Sequence, residues 1–108
     1  MKRALRAILI EGEKDKEDVL QGRKKITVRE GHRDYSEGPV LLGCHKLNWA
    51  TMRTITSVRH TTLEKVTEKE WLDDGYKSQD DMYNGLRKFY HNLEYSSPVT
   101  VIRWDDLR

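Results

Sequence analysis

What most constrains the fold of this chain is the order of its periodicities: strand-like alternation outnumbers helix-like spacing, and the helical signals are few. Residues 4–10 are rich in Leu and Ile and end at Glu11-Gly12, as an opening strand does. The charged segment 13–21 follows, with Val19 and Leu20 as its apolar face and Gly22 where a left-handed residue stops a helix. Residues 25–29 then alternate, with Ile26 and Val28 on one face and Lys25, Thr27 and Arg29 on the other. From 30 to 38 the chain carries Gly31, Asp34, Ser36 and Gly38 ahead of Pro39, which reads as an exposed loop presenting His32, Arg33 and Tyr35. Strands are predicted at 40–44 and 49–59. In the second, Ala50, Met52, Ile55 and Val58 slip in phase, which points to a bulge or a barrel corner.

Thr67 and Glu70 have capping-box spacing and open a short helix that Gly75 stops, with Trp71 and Leu72 as its anchors. Ser78 and Asp81 repeat the box. Beyond them Met82, Leu86, Phe89, Tyr90 and Leu93 recur at helical spacing, which predicts an amphipathic helix with Leu86 and Phe89 facing the core. Pro98 opens a last strand at 99–104, rich in Val, Thr and Ile, and Trp71 and Trp104 are assigned to packing. This order is α+β with too few helices for a doubly wound sheet, so a small mixed β-barrel, partly open and flanked by short helices, fits it. A chain of 108 residues supports one hydrophobic core, so 1–108 reads as a single domain.

Hydrophobic residues are 36% of the chain and charged residues 35%, which predicts a small core under an ionic surface. No apolar run approaches the roughly 20 residues of a membrane span, and Lys2, Arg3 and Arg6 interrupt the first ten, so neither a span nor a signal peptide is expected. Cys44 is the only cysteine, which excludes an internal disulfide and suits a reducing, cytoplasmic setting. His32, His45, His60 and His91 lack ligand spacing, so no metal is expected, and no cofactor motif is present. The net charge of +2 decides nothing, but its distribution is uneven. Lys2, Arg3, Arg6, Arg23, Lys24, Lys25, Arg29 and Arg33 load the first third, while 64–81 carries Glu64, Glu68, Glu70, Asp73, Asp74, Asp80 and Asp81. A basic side and an acidic side are expected.

The run Gly22-Arg23-Lys24-Lys25-Ile26-Thr27-Val28-Arg29 is joined by Gly38-Pro39-Val40-Leu41-Leu42, by Thr61-Thr62-Leu63 ahead of Thr67-Glu68, by Asp74-Gly75-Tyr76 and by Val99-Thr100-Val101-Ile102. Together these resemble the ASCH family over residues 5–104. The resemblance implies a PUA-like barrel, a cleft beside the Lys24, Thr27 and Arg29 strand, and a role in RNA metabolism. Some bacterial members hydrolyse the amide of N4-acetylcytidine with a Lys, a Thr and a Glu. Carried over, the Lys falls at Lys24, the Thr at Thr27 and the Glu at Asp74, one methylene shorter. Amide hydrolysis needs a nucleophile, a base and an acid for the leaving nitrogen, roles open to Thr27, Lys24 and Asp74 in that order. Lys24 can share Thr27's side only from the turn, not from within the strand.

A second reading of the same region has single-stranded RNA or a modified nucleoside held by Arg29, Arg33 and His32 and stacked on Tyr35, Trp49 and Tyr76. Binding of RNA or a nucleoside through a basic cleft is the expected function, with amide hydrolysis as the alternative. Ribonuclease action is a second alternative, for which the sequence offers no evident His pair.

Overall fold

The structure, a computed structural model, describes residues 6–106. Ala4 and Leu5 of the expected first strand, and Lys2 and Arg3 of the basic set, lie outside the described residues. The elements in chain order are β1 (Arg6–Leu9), α1 (Glu13–Leu20), β2 (Ile26–Glu30), β3 (Gly38–Cys44), β4 (Trp49–Thr62), α2 (Glu68–Asp73), α3 (Gln79–Arg87) and β5 (Pro98–Asp106), with a single 3₁₀ turn at Leu63–Lys65. This is the α+β order read from the sequence.

The five strands form one sheet in the order β1-β3-β4-β5-β2, with β1 parallel to β3 and the other pairs antiparallel. The phase slip in β4 is a real irregularity: pairing with β5 shifts between Ile55 and Ser57. Although β1 and β2 are the two sheet edges, the Arg29 guanidinium of β2 donates to the Leu9 carbonyl of β1 at 2.7 Å. The sheet therefore curls into a half-barrel that brings its two edges within reach of one arginine side chain, and α1 connects them along the chain.

β5 is buried on both faces, which is why it reads as a near-continuous apolar run. Val99 and Val101 join Ile26, Val28, Leu63, Met82 and Leu86 under the helices. Ile102 and Trp104 join Ile8, Val40, Leu42, Ile55 and Val19 inside the curl. Thr100, also fully buried, donates to the Gly31 carbonyl at 2.7 Å and accepts from the Arg33 amide at 2.8 Å, so its hydroxyl is satisfied where an unpaired one would be costly.

Three helical expectations are corrected. In α2 the capping box is complete, but Leu72 is 52% exposed; the buried residue of that helix is Glu70, held by Arg59. Ser78 accepts from the Asp81 amide, yet Asp81 accepts from the amide of Lys77, not of Ser78, so the second box is only half formed. The last helix stops at Arg87 because its final turn tightens, with Lys88 N–H on Gly85 and Phe89 N–H on Leu86. That rotates Phe89 out to 59% exposure, while Leu93 still reaches the core through the following turn.

Candidate functional site

The local chain path places each reactive group. At the end of α1, Gly22 takes φ 78°, a conformation that costs glycine little, and the amides of Arg23 and Lys24 both donate to the Asp18 carbonyl at 2.7 and 2.9 Å. Lys24 thus sits in the turn before β2, and from there its side chain reaches the side on which Thr27 lies. Asp74 is the C-cap of α2, its amide on the Glu70 carbonyl at 3.1 Å, and Tyr76 returns to Trp71 at 2.9 Å. The neighbouring aspartates part company here: Asp73 faces outward to Arg103 at 2.9 Å and Lys69 at 3.2 Å, whereas Asp74 faces inward to Lys24.

These groups line a cleft of about 290 Å³ at the seam where the sheet edges meet. Leu9, Ile10 and Glu11 come from the β1 side, Asp15 from α1, Lys24, Thr27 and Arg29 from β2 and its turn, Asp74 and Tyr76 from the end of α2, and Leu86, Phe89 and Tyr90 from α3 and beyond. The Lys24 ammonium donates to the Asp74 carboxylate, and both side chains are nearly sealed from water, at 9% and 4% exposed. The Arg29 Nε donates to Thr27 Oγ1 at 3.2 Å, which leaves the hydroxyl proton available to another acceptor.

Burial pushes the Asp74 carboxyl above its usual range, and the Lys24 charge and hydrogen bond only partly oppose it. A carboxyl so placed can hold a proton that an ordinary aspartate has lost. The Tyr76 phenol is likewise raised, first by burial and then by the Asp74 charge, so it stays a neutral hydroxyl. The arrangement offers a hydroxyl beside a guanidinium and a buried carboxyl paired with an ammonium, groups of the kinds that acyl transfer uses.

Of the residues singled out in the sequence, Lys24, Thr27, Asp74, Arg29 and Tyr76 meet in this cleft. The other four lie elsewhere. Arg33 donates from Nε to the Glu30 carbonyl at 2.8 Å. His32 stacks on His60 with ring centroids 4.9 Å apart, and their Nε2 atoms lie against the Thr61 and Arg33 carbonyls at 3.1 and 2.8 Å, so this pair pins a loop to β4. Tyr35 packs on the core inside the curl, its hydroxyl on the Ala7 carbonyl at 3.2 Å, and Trp49 lines a separate depression beside Cys44.

The expectation of a basic cleft is also corrected. Glu11, Asp15 and Asp74 line it together with Lys24 and Arg29, so its charge is mixed: Lys24 is paired with Asp74, and Glu11 reaches Lys46 at 3.7 Å. The basic stretch alternates its side chains, and only part of it turns inward: Arg23 and Lys25 line a different depression with Asp73 and Arg103. Glu11, Asp15, Phe89 and Tyr90 escaped sequence reasoning because nothing in their spacing ties them to residues 24–29. The closed seam alone brings them there.

A crystal structure of an ASCH domain from Lactobacillus crispatus JV V101 superposes with a TM-score of 0.71, covering 94% of this chain and 79% of that one at 12% identity. The fold is that of an ASCH domain. At this identity the likeness is one of architecture. No protein-family model and no curated protein matches the sequence. On this fold the cleft lies between the two facing edges of the curled sheet, and no helix among the described residues is long and apolar enough to cross a membrane.

Proposed function

We propose that the cleft takes a modified nucleoside, free or as an unpaired base of RNA. The observation that carries this reading is the lining itself: a volume of about 290 Å³, close to the lower end of small-molecule sites, with a polar floor and an aromatic upper wall. Among the described residues, both cations of the cleft are already engaged, Lys24 by Asp74 and Arg29 by Thr27 and the Leu9 carbonyl, which leaves a phosphate no free cation to meet there, so the ligand is held by its neutral base. Calorimetric titration of the protein with N4-acetylcytidine and the four common ribonucleosides tests this. Saturable binding of at least one supports the reading, and no binding by any of them sinks it.

One observation favours a second reading, hydrolysis of the exocyclic amide of an N4-acylated cytosine: the buried Lys24–Asp74 pair stands in the same cleft as Thr27. In this scheme Lys24, having passed a proton to Asp74, takes the Thr27 proton as Oγ1 attacks the amide carbon. The tetrahedral adduct collapses with the C–N bond, the nitrogen leaves with the Asp74 proton, and water then cleaves the Thr27 ester. Incubation with N4-acetylcytidine should release cytidine and acetate in equal amounts. Binding without any release would leave the first reading and remove the second.

A further inference from the structure

The cleft has two chemically distinct parts. Its floor is polar, made by Lys24, Thr27, Arg29 and Asp74, whereas its mouth carries Leu9 and Phe89, two large apolar side chains left 45% and 59% exposed. They arrive from separate elements, the end of β1 and the turn after α3. Phe89 is the only phenylalanine of the chain, and its spacing from Leu86 and Leu93 suits a core-facing helical position. The tightened last turn of α3 withholds it from that core and sets it on the cleft rim beside Tyr90. An exposed Phe forgoes the gain that burial brings, and a ligand that covers its ring recovers it.

We propose that Phe89 is a stacking platform: the flat face of a nucleobase lies on its ring while the polar edge of the base meets the floor at Lys24, Thr27 and Asp74. This rests on the nucleoside reading above and narrows it to an aromatic base. The cleft is too small for a helix or a strand of a protein partner, its floor is too polar for an alkyl chain, and its two cations are already engaged, Lys24 by Asp74 and Arg29 by Thr27 and Leu9, which disfavours an anion. A planar, neutral ring with hydrogen-bonding edges satisfies both parts at once. Every base has a π face, so Phe89 supplies affinity, and discrimination among bases falls to the floor.

The test is calorimetric titration of wild type, Phe89→Ala, Phe89→Leu, Phe89→Trp and the neighbouring Lys88→Ala with N4-acetylcytidine and the four common ribonucleosides. Stacking of one base is worth about 1–3 kcal/mol, so Phe89→Ala should weaken every ligand that wild type binds by about 5- to 150-fold. Phe89→Leu, which keeps apolar area but lacks a π face, should lose nearly as much, while Phe89→Trp and Lys88→Ala should bind within about threefold of wild type. Melting curves of the Phe89 variants should coincide with wild type, since the side chain is exposed. Wild-type affinity in Phe89→Leu would show that mere apolar cover suffices and would overturn the platform. Unchanged binding in Phe89→Ala would overturn it too, with the nucleoside reading intact. If wild type binds none of the five ligands, the nucleoside reading and the platform fall together.

Discussion

The most consequential residue-scale feature is the contrast between Asp73 and Asp74. The two are adjacent in sequence and identical in type, but one is a half-buried bridge to Arg103 and Lys69 and the other a buried partner of Lys24. The first is held below the usual carboxylate range: partial burial works the other way, but the Arg103 and Lys69 hydrogen bonds outweigh it. The second is raised by burial. If the cleft is hydrolytic, Lys24→Ala and Thr27→Ala should each lower the release of cytidine from N4-acetylcytidine by at least about 10³-fold, because members of such a unit fail together. Asp73→Ala should leave the rate within about threefold. Asp74→Glu lengthens the acid by one methylene and supplies the residue type expected at this position if the cleft is hydrolytic, so in that case turnover should rise. Rates measured with saturating substrate separate these outcomes from changes in binding.

At the scale of elements, α2 shows how a single side chain ties a helix to the sheet. Glu70 closes the capping box on the Thr67 amide at 2.8 Å and accepts from the Arg59 Nε at 3.0 Å. Burial alone raises a carboxyl, but the Arg59 and Thr67 hydrogen bonds prevail and hold Glu70 below its ordinary range. A carboxylate with a lowered folded pKa adds stability that is complete above its unfolded value of about 4.3 and disappears as pH falls through the folded one. Glu70→Gln should therefore cost about 1–2 kcal/mol at pH 7, and in urea melts the gap from wild type should begin to narrow below about pH 4 and close only as pH falls through the lowered folded value.

In α3, Leu86→Ala should cost about 2–5 kcal/mol, while Phe89→Ala should cost under about 1, since the first is 6% exposed and the second 59%. Thermal melts of the two variants side by side check this. Gly85 of the same helix lies against the Tyr76 ring, where an added Cβ would come within 2.8 Å of Cε1. Gly85→Ala gains helix propensity, about 0.5–1 kcal/mol elsewhere, but must displace Tyr76 from the cleft wall. It should weaken nucleoside binding by more than about fivefold while the helix content seen by circular dichroism stays the same.

Across the whole molecule, charge is partitioned in a way that separates two kinds of ligand. The two cations of the cleft are engaged by Asp74, Thr27 and Leu9, while Arg33 lies off it, in the loop between β2 and β3. Affinity for a free nucleoside should therefore change by less than about twofold between roughly 50 and 200 mM salt, since no counterions are released. A single-stranded RNA long enough to leave the cleft should bind with a marked salt dependence. Arg33→Ala should reduce the slope of log K against log salt by about 0.7 for one lost phosphate contact, without altering the nucleoside constant. Fluorescence anisotropy with a labelled oligonucleotide, beside calorimetry with the nucleoside, reads both.

The order of elements was legible in the sequence because it depends on local periodicity. The alternation of Ile26 and Val28 with Thr27 and Arg29, the Gly22 stop and the Thr67–Glu70 box each act within a few residues. The pairing of Lys24 with Thr27 and Asp74 came from the resemblance, and the strand alternation added only the condition that Lys24 sit in the turn if it is to share Thr27's side. What the sequence could not contain was the seam. Arg29 meeting Leu9 across two sheet edges is a consequence of strand twist summed over five strands, and the summed twist selects which cations turn inward. It brings Glu11 and Asp15 to the cleft and leaves Arg33, His32, Tyr35 and Trp49 outside it. Phe89 was misread for the complementary reason: its helical spacing is correct, but the helix ends two residues before it, and only packing around Leu93 fixes where that turn must close.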